Sequence, residues 1–358
     1  MGKMKLQLQS TTLSDLDALA EALVAGFKTA PDAPLVDRRL LQWKYFEAGP
    51  RWEGARSYLL RQGNDVHAHC GVWPINMGFA GGNVACLCFT DWIGSRKFPG
   101  SGSALIKKMM SLAETSIFVG GSDYARAIIP RLNYKVAGTV GVFARVVRPW
   151  KQFRTRPTAG ISKDVARLAR NAMWSRAPAR VIPENWSAAR VRSFNSYFAH
   201  LPDRLSGAAH PTPERCVRYL NYWLRCPAAE IAGFSILKES RTQGYFLLTR
   251  MGGQARIIDI RLIREEGTDL EAQADWNVAY ALAAKTAEDD PETCEISAVA
   301  STEFARAALL SGGFRQRWSL PLALYDPQEK LSAAPAIFWN LIDSDSAYLH
   351  DPASPYIT

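Results

Sequence analysis

The 358-residue chain contains no apolar run approaching the roughly 18 residues that a membrane-spanning helix needs, which excludes a transmembrane span. Its opening stretch, MGKMKLQLQS, turns polar at once and has no apolar signal core, so an export signal is not expected there and a cytoplasmic protein is. The six cysteines (Cys70, Cys86, Cys88, Cys216, Cys226 and Cys294) include no Cys-x-x-Cys pair, which excludes the common zinc patterns. Most have apolar neighbours and read as small buried hydrophobes in a reducing compartment. Acidic residues are outnumbered, 34 against 43 basic ones, for a net charge of +9. The excess is concentrated: Lys151, Arg154, Arg156, Lys163, Arg167, Arg170, Arg176 and Arg180 face only Asp164 within one 30-residue segment. A surface built to hold long nucleic acid spreads its charge over a whole face, so nucleic acid is not the expected partner. The segment suits an anionic lipid surface, an acidic glycan, ligand phosphates, or a solvated linker.

What is present is a repeat. ARAIIPRLNYK from Ala125 resembles ARAALLSGGFR from Ala305, and RLLQWKYFEAGP from Arg39 resembles RYLNYWLRCP from Arg218, both at an offset of about 180 residues. One architecture used twice follows, each copy of single-domain size. The first copy reads as a short strand, a helix with Leu16, Leu19, Ala20 and Leu23 on one face, a second helix around Trp43, and three antiparallel strands joined at Gly63-Asn64-Asp65 and Gly81-Gly82-Asn83. Between the copies, ISKDVARLARNAMWSR predicts an amphipathic helix that packs Val165, Leu168, Ala169, Ala172 and Met173 and exposes Lys163, Arg167 and Arg170.

The most informative stretch is Lys97-Phe98-Pro99-Gly100-Ser101-Gly102-Ser103-Ala104, between a predicted strand, VACLCFTDWI, and a predicted helix, SALIKKMMSLAET. A glycine turn at a helix entrance leaves backbone N–H groups unpaired at the positive end of the helix dipole, a seat for phosphate or pyrophosphate. With this loop and the strand–helix order around it, the chain resembles the GNAT N-acyltransferases in tandem. Lys97 through Gly102 match their (Gln/Arg)-x-x-Gly-x-(Gly/Ala) loop with Lys in first place, and Asn133-Tyr134 and Gly313-Phe314 close the helices after each fifth strand.

The resemblance implies an α+β fold of two GNAT-like domains, each a mixed, mostly antiparallel twisted sheet flanked by helices. Residues 1–150 would form the acyl-CoA domain, 151–185 a basic helical connector, 186–330 a second, degenerate domain, and 331–358 a C-terminal surface tail carrying Asp343, Asp345 and Asp351. It implies acetyl-CoA or another acyl-CoA as cofactor. The diphosphate would lie on Lys97, Phe98, Gly100, Ser101, Gly102 and Ser103. The pantetheine arm would add to a strand edge at Trp92, Ile93 and Gly94, with Ser122 where the family often has Asn. In the second copy, Arg264-Glu265-Glu266-Gly267-Thr268-Asp269 lacks Gly-x-Gly and sets two carboxylates where a pyrophosphate would bind, so only the first half is expected to bind cofactor.

Acyl transfer to an amine needs a base, and donors or an acid for the thioester and its thiolate. The tyrosine that many family members carry after the fifth strand is replaced by Ile129 and Leu309. Tyr124 and Tyr134 lie nearby, off that position. Asp91 is a candidate base, or a carboxylate paired with Arg96. His67 and His69 alternate on one strand, as bases or as solvated face residues. Asp259 is expected to pair with Arg256 or Arg261. Trp43 and Tyr45 read as packing, or as the wall of an acceptor pocket. The expected activity is N-acetylation of a small amine such as an amino sugar. The alternatives are a non-catalytic scaffold on the same fold, and a Fem-like transferase using aminoacyl-tRNA.

Overall fold

A single 3-10 turn, Leu13–Asp15, leads into the first helix, and the Thr12 backbone N–H ahead of it donates to Asp15 Oδ2 at 2.9 Å. The computed structural model describes residues 6–49, 52–79, 82–156, 160–177, 181–196, 198, 210–263, 269–332, 334 and 336–358. In chain order the elements are β1 (Gln7–Ser10), α1 (Leu16–Phe27), α2 (Arg38–Phe46), β2 (Ser57–Gln62), β3 (Asp65–Phe79), β4 (Gly82–Gly94), α3 (Ser101–Met109), β5 (Thr115–Val119), α4 (Asp123–Ile128), β6 (Lys135–Val146), α5 (Pro149–Thr155) and α6 (Ile161–Trp174). They continue with β7 (Trp186–Val191), β8 (Thr212–Pro213), α7 (Val217–Trp223), β9 (Glu230–Lys238), β10 (Arg241–Met251), β11 (Gln254–Leu262), α8 (Asp269–Glu288), β12 (Glu295–Ala300), α9 (Glu303–Ser311) and β13 (Arg315–Tyr325). The fold is mixed α+β, and antiparallel strand pairs predominate. Among the described residues, no helix is long and apolar enough to cross a membrane.

Two compact units emerge, and neither is one continuous stretch of chain. Unit 1 comprises Met1–Ala137, Ser206–Ala228 and Pro321–Pro335; unit 2 comprises Gly138–Leu205, Ala229–Leu320 and Ala336–Thr358. The division expected at residues 150 and 186 follows the repeat along the chain, whereas the units exchange segments. In unit 1, β1, β2, β3 and β4 are antiparallel neighbours, β4 pairs β5 in parallel, and β5 pairs the end of β13. In unit 2, β7, β9, β10 and β11 follow the same plan, β11 pairs β12 in parallel, and β12 pairs β6. The last strand of each repeat thus completes the sheet of the other unit.

The core of unit 1 lies on both sides of its sheet. Leu16, Leu19 and Leu23 of α1 pack with Leu41, Tyr45 and Leu59, while Leu105, Ile106 and Met109 of α3 pack with Ala68, Cys70, Val72 and Leu87. The repeated aromatic helices α2 and α7 both belong to unit 1. Trp43 stacks on Tyr222 with ring centroids 4.4 Å apart and planes 7° from parallel. Tyr222 Oη donates to the Trp43 carbonyl at 3.0 Å, and Trp43 Nε1 returns a bond to the Tyr222 carbonyl at 3.3 Å. Trp73 and Trp223 close the cluster. Trp43 is therefore buried packing. The core of unit 2 gathers Phe246, Leu248 and Ile257 of its sheet against α8 and α9.

Two sequence expectations are corrected. In α6 the face that buries is the polar one: Asp164 and Asn171 are buried, while Ile161, Val165 and Met173 are exposed at 83%, 55% and 63%. The hydrogen-bonding needs of Gln152 and Asn171 turn the helix: Asn171 Nδ2 donates to Gln152 Oε1 at 2.8 Å. The C-terminal segment is not a surface tail. Phe338, Trp339, Ile342, Tyr348 and Tyr356 are buried in unit 2, and Asp343 accepts from the Asn340 amide at 2.9 Å as a turn cap. Apolar residues alternating with those aspartates drive the burial.

Candidate functional site in unit 1

The head of α3 forms a loop ordered by its own hydrogen bonds, with Gly100 exposed and Ser101 and Gly102 buried. Lys97 N–H donates to Ser95 Oγ (3.1 Å), Phe98 N–H to the Ser95 carbonyl (3.2 Å) and Ser101 N–H to the Phe98 carbonyl (3.0 Å). Gly100 sits at φ +84°, a left-handed conformation that disfavours a side chain, and a Cβ there would meet nothing within 4 Å. Among the described residues, the amides of Gly100, Gly102 and Ser103 have no protein acceptor. Two anchors hold the loop against the sheet: Ser101 Oγ donates to the His67 carbonyl at 3.0 Å, and Trp92 Nε1 to the Gly102 carbonyl at 2.9 Å. A Cβ on Gly94 would lie 3.0 Å from the Gly102 nitrogen, so glycine lets the end of β4 meet the loop. Lys97 is exposed, with no ion pair among the described residues.

Beside the loop, β4 and β5 part. They pair only at Cys86–Thr115, Leu87–Ser116 and Cys88–Ile117. From Phe89 to Gly94 the β5-facing edge of β4 has no strand partner among the described residues. The parting coincides with a β-bulge: Gly71 faces Thr90 and His69 faces Ile93, which leaves Asp91 and Trp92 opposite Cys70 alone. Asp91 carries the bulge at φ +48°, a conformation that aspartate tolerates better than most residues.

Beneath the bulge lies a buried polar network. Lys44 Nζ donates to Asp91 Oδ2 at 2.6 Å, with both side chains under one tenth exposed, and Tyr45 Oη donates to the same oxygen. Burial alone would raise the Asp91 pKa, but the Lys44 ammonium and the network's hydrogen bonds hold the carboxyl below its ordinary range. His69 Nδ1 donates to the Asp91 carbonyl at 2.8 Å, so its Nε2 accepts from Ser57 Oγ at 3.0 Å. Burial pushes His69 down to about 4, and the ring is neutral near pH 7. These histidines are not solvated strand-face residues. The β3 bulge at His67, where Arg61 faces Val66 and Leu60 faces Ala68, also gives them different neighbours: His69 meets Tyr45, and His67 lies 4.4 Å from Phe98 of the loop. His67 is buried and its Nε2 has no hydrogen-bond partner.

The structure therefore brings Asp91 and His69 together under the bulge, and His67, Trp92, Gly94, Phe98, Ser101 and Gly102 together at the loop. Ser122 is exposed and caps α4 by accepting from the Ala125 amide at 3.2 Å. Asp91 pairs with Lys44 rather than Arg96. Ile129 is buried, Tyr124 is 75% exposed, and the buried Tyr134 hydroxyl bonds Ser116 Oγ at 2.6 Å. Lys44 was missed in the sequence. Its signal was a lysine sharing the apolar face of α2 with Leu40 and Leu41. Unit 2 repeats the motif: β11 has a bulge at Ile258, and the buried Asp259 beside it accepts from Tyr245 Oη at 2.7 Å and lies 3.9 Å from Arg261. Arg256, the other expected partner of Asp259, instead bonds Gln254 and two carbonyls. Residues 264–268, where the second loop lacks Gly-x-Gly, lie outside the described residues.

The chain as a whole is similar in fold to solved structures. A GCN5-related N-acetyltransferase from Anabaena variabilis superposes with a TM-score of 0.57 over 90% of this chain and 73% of that one, at 12% identity. A GCN5-related N-acetyltransferase from Kribbella flavida gives 0.55 over 89% and 70%, at 13% identity. Saccharomyces cerevisiae N-myristoyltransferase with bound myristoyl-CoA and inhibitors gives 0.59 over 91% and 81%, at 10% identity. The fold is GNAT-like. No family model matches the sequence, and no curated protein matches it.

Proposed function

We propose that this chain is an acyl-CoA-dependent N-acyltransferase whose cofactor binds unit 1. The observation that carries the reading is the set of amides without a protein acceptor at Gly100, Gly102 and Ser103 beside the unpartnered edge of β4. Three donors at a helix head suit a diphosphate, and a bare strand edge suits the two amides of a pantetheine arm. The yeast N-myristoyltransferase with this fold holds myristoyl-CoA, which supports an acyl-CoA here. We assign the diphosphate to the loop from Lys97 to Ser103, the arm to Trp92, Ile93 and Gly94, and a contact near the arm to Ser122.

Of the three candidate proton acceptors, Asp91 is engaged by Lys44 and Tyr45 and His69 has both nitrogens bonded, so they hold the bulge in place. His67, whose buried Nε2 has no hydrogen-bond partner, takes the proton-accepting role. The favoured reaction is transfer of an acetyl group to a small amine, such as that of an amino sugar, with the second GNAT-like half completing the fold. A non-catalytic binding protein is the second reading, favoured by the buried Ile129 in the usual tyrosine position. A thiol-release assay with acetyl-CoA and a panel of amines tests the reading. Amine-dependent release that His67→Phe lowers at least tenfold supports it. Calorimetric binding of coenzyme A without release for any amine leaves the second reading, and no binding refutes both.

A further inference from the structure

Helices α5 and α6 of unit 2 turn an apolar face to solvent. Ile161, Val165 and Met173 recur at four-residue multiples along one side of α6 and are 83%, 55% and 63% exposed. On α5, Trp150 is 61% exposed and stacks on Phe153, 37% exposed, with centroids 5.6 Å apart. A groove of about 360 Å³ runs between the helices, walled by Phe153, Ile161, Val165 and Leu168 and edged by Arg154, Arg156 and Arg167. The polar side of the pair is already used inward, through Asn171, Gln152 and Glu295. Arg154 and Lys163 are exposed and form no ion pair among the described residues.

We propose that the α5–α6 pair is a contact surface for an anionic phospholipid bilayer. An interfacial helix of this kind sinks its apolar side a few ångströms into the headgroup layer while lysine and arginine reach the lipid phosphates. Trp150 is the residue type that favours that boundary. Charge complementarity selects this occupant. A second copy in a two-fold interface would bring the unpaired cations Arg154 and Lys163 of both copies into one seam with no acidic partner between them. Single-stranded nucleic acid would use the basic edge and stack on Trp150 and Phe153, but would leave the exposed aliphatic side chains Ile161 and Val165 uncovered.

Co-sedimentation of the full chain tests the proposal, with phosphatidylcholine vesicles compared with vesicles also containing phosphatidylglycerol, at low and high salt. Binding should be at least tenfold tighter to the anionic vesicles and should weaken with salt. The double variant Ile161→Asp/Val165→Asp should lose at least tenfold with an unchanged melting temperature, because both side chains are exposed. Arg154→Gln and Lys163→Gln should each cost about fivefold. Absence of binding, or equal binding to neutral vesicles, overturns the proposal. So does a lipid-free dimer abolished by the aspartate pair, or tighter binding to oligonucleotide than to anionic vesicles.

Discussion

Replacing Lys44 by Met tests whether the network under the β4 bulge is an ion pair that the fold depends on. Lys44 Nζ and Asp91 Oδ2 are 2.6 Å apart and both side chains are under one tenth exposed, so removal of the ammonium leaves a dry carboxylate with the Tyr45 hydroxyl but no counter-charge. Breaking such a pair costs about 3–5 kcal/mol. At about 2–4 °C per kcal/mol for a unit of this size, the melting temperature of unit 1 falls by about 10 °C. Asp91→Asn strands the lysine instead and should cost a similar amount, since asparagine tolerates the φ of +48° and the backbone is unaffected. The double variant removes both charges. It should be more stable than either single variant, with a coupling energy of about 2–3 kcal/mol in a cycle measured by urea denaturation. A cost under about 1 kcal/mol for Lys44→Met, or plain additivity, would refute the reasoning, because an exposed pair contributes only that much.

Two further outcomes follow from the same geometry. His69 is held near 4 by burial, below the ordinary value of 6.5, so the unfolded chain binds the extra proton first; stability contributed by the neutral ring is complete above pH 6.5 and is lost between 6.5 and about 4. The difference is about 3 kcal/mol at most, and His69→Gln should flatten the stability profile in that window; an unaltered slope contradicts the assignment. Gly49→Ala would place a Cβ 2.4 Å from the Tyr222 ring and displace it from Trp43, whereas Gly138→Ala meets nothing within 4 Å. The first should cost about 1–3 kcal/mol and the second almost nothing in thermal unfolding, and equal costs would dissolve the importance given to the stack.

Much of this was legible in the chain because local chemistry decided it. Gly100 and Gly102 between a strand and an apolar-periodic helix marked the loop, and the repeat at an offset of about 180 residues pointed to the strand order that recurs from β7 to β12. What stayed hidden depended on long-range pairing. No local signal says that β6 will pair with β12 and β13 with β5, since both strands carry the same apolar alternation. The orientation of α6 was misread because its apolar stripe is longer than its polar one, and the buried requirements of Gln152, Asn171 and Glu295 outweighed it. His69 looked solvated because alternation on β3 assigns a face without saying what covers it, and α2 covers it with Tyr45. Lys44 escaped notice for the complementary reason: a lysine on an apolar face reads as a snorkelling side chain until its carboxylate is seen.

The most direct test of the cofactor site is calorimetric titration of coenzyme A into two variants that differ by one atom pair and one charge. Gly100→Asn and Gly100→Asp both tolerate the left-handed backbone and both enter open space. The carboxylate alone should repel the diphosphate, weakening binding at least tenfold relative to the asparagine variant, about 1.4 kcal/mol. Equal affinity in the two variants, with unit 1 folded in both, would place the cofactor elsewhere and contradict the account.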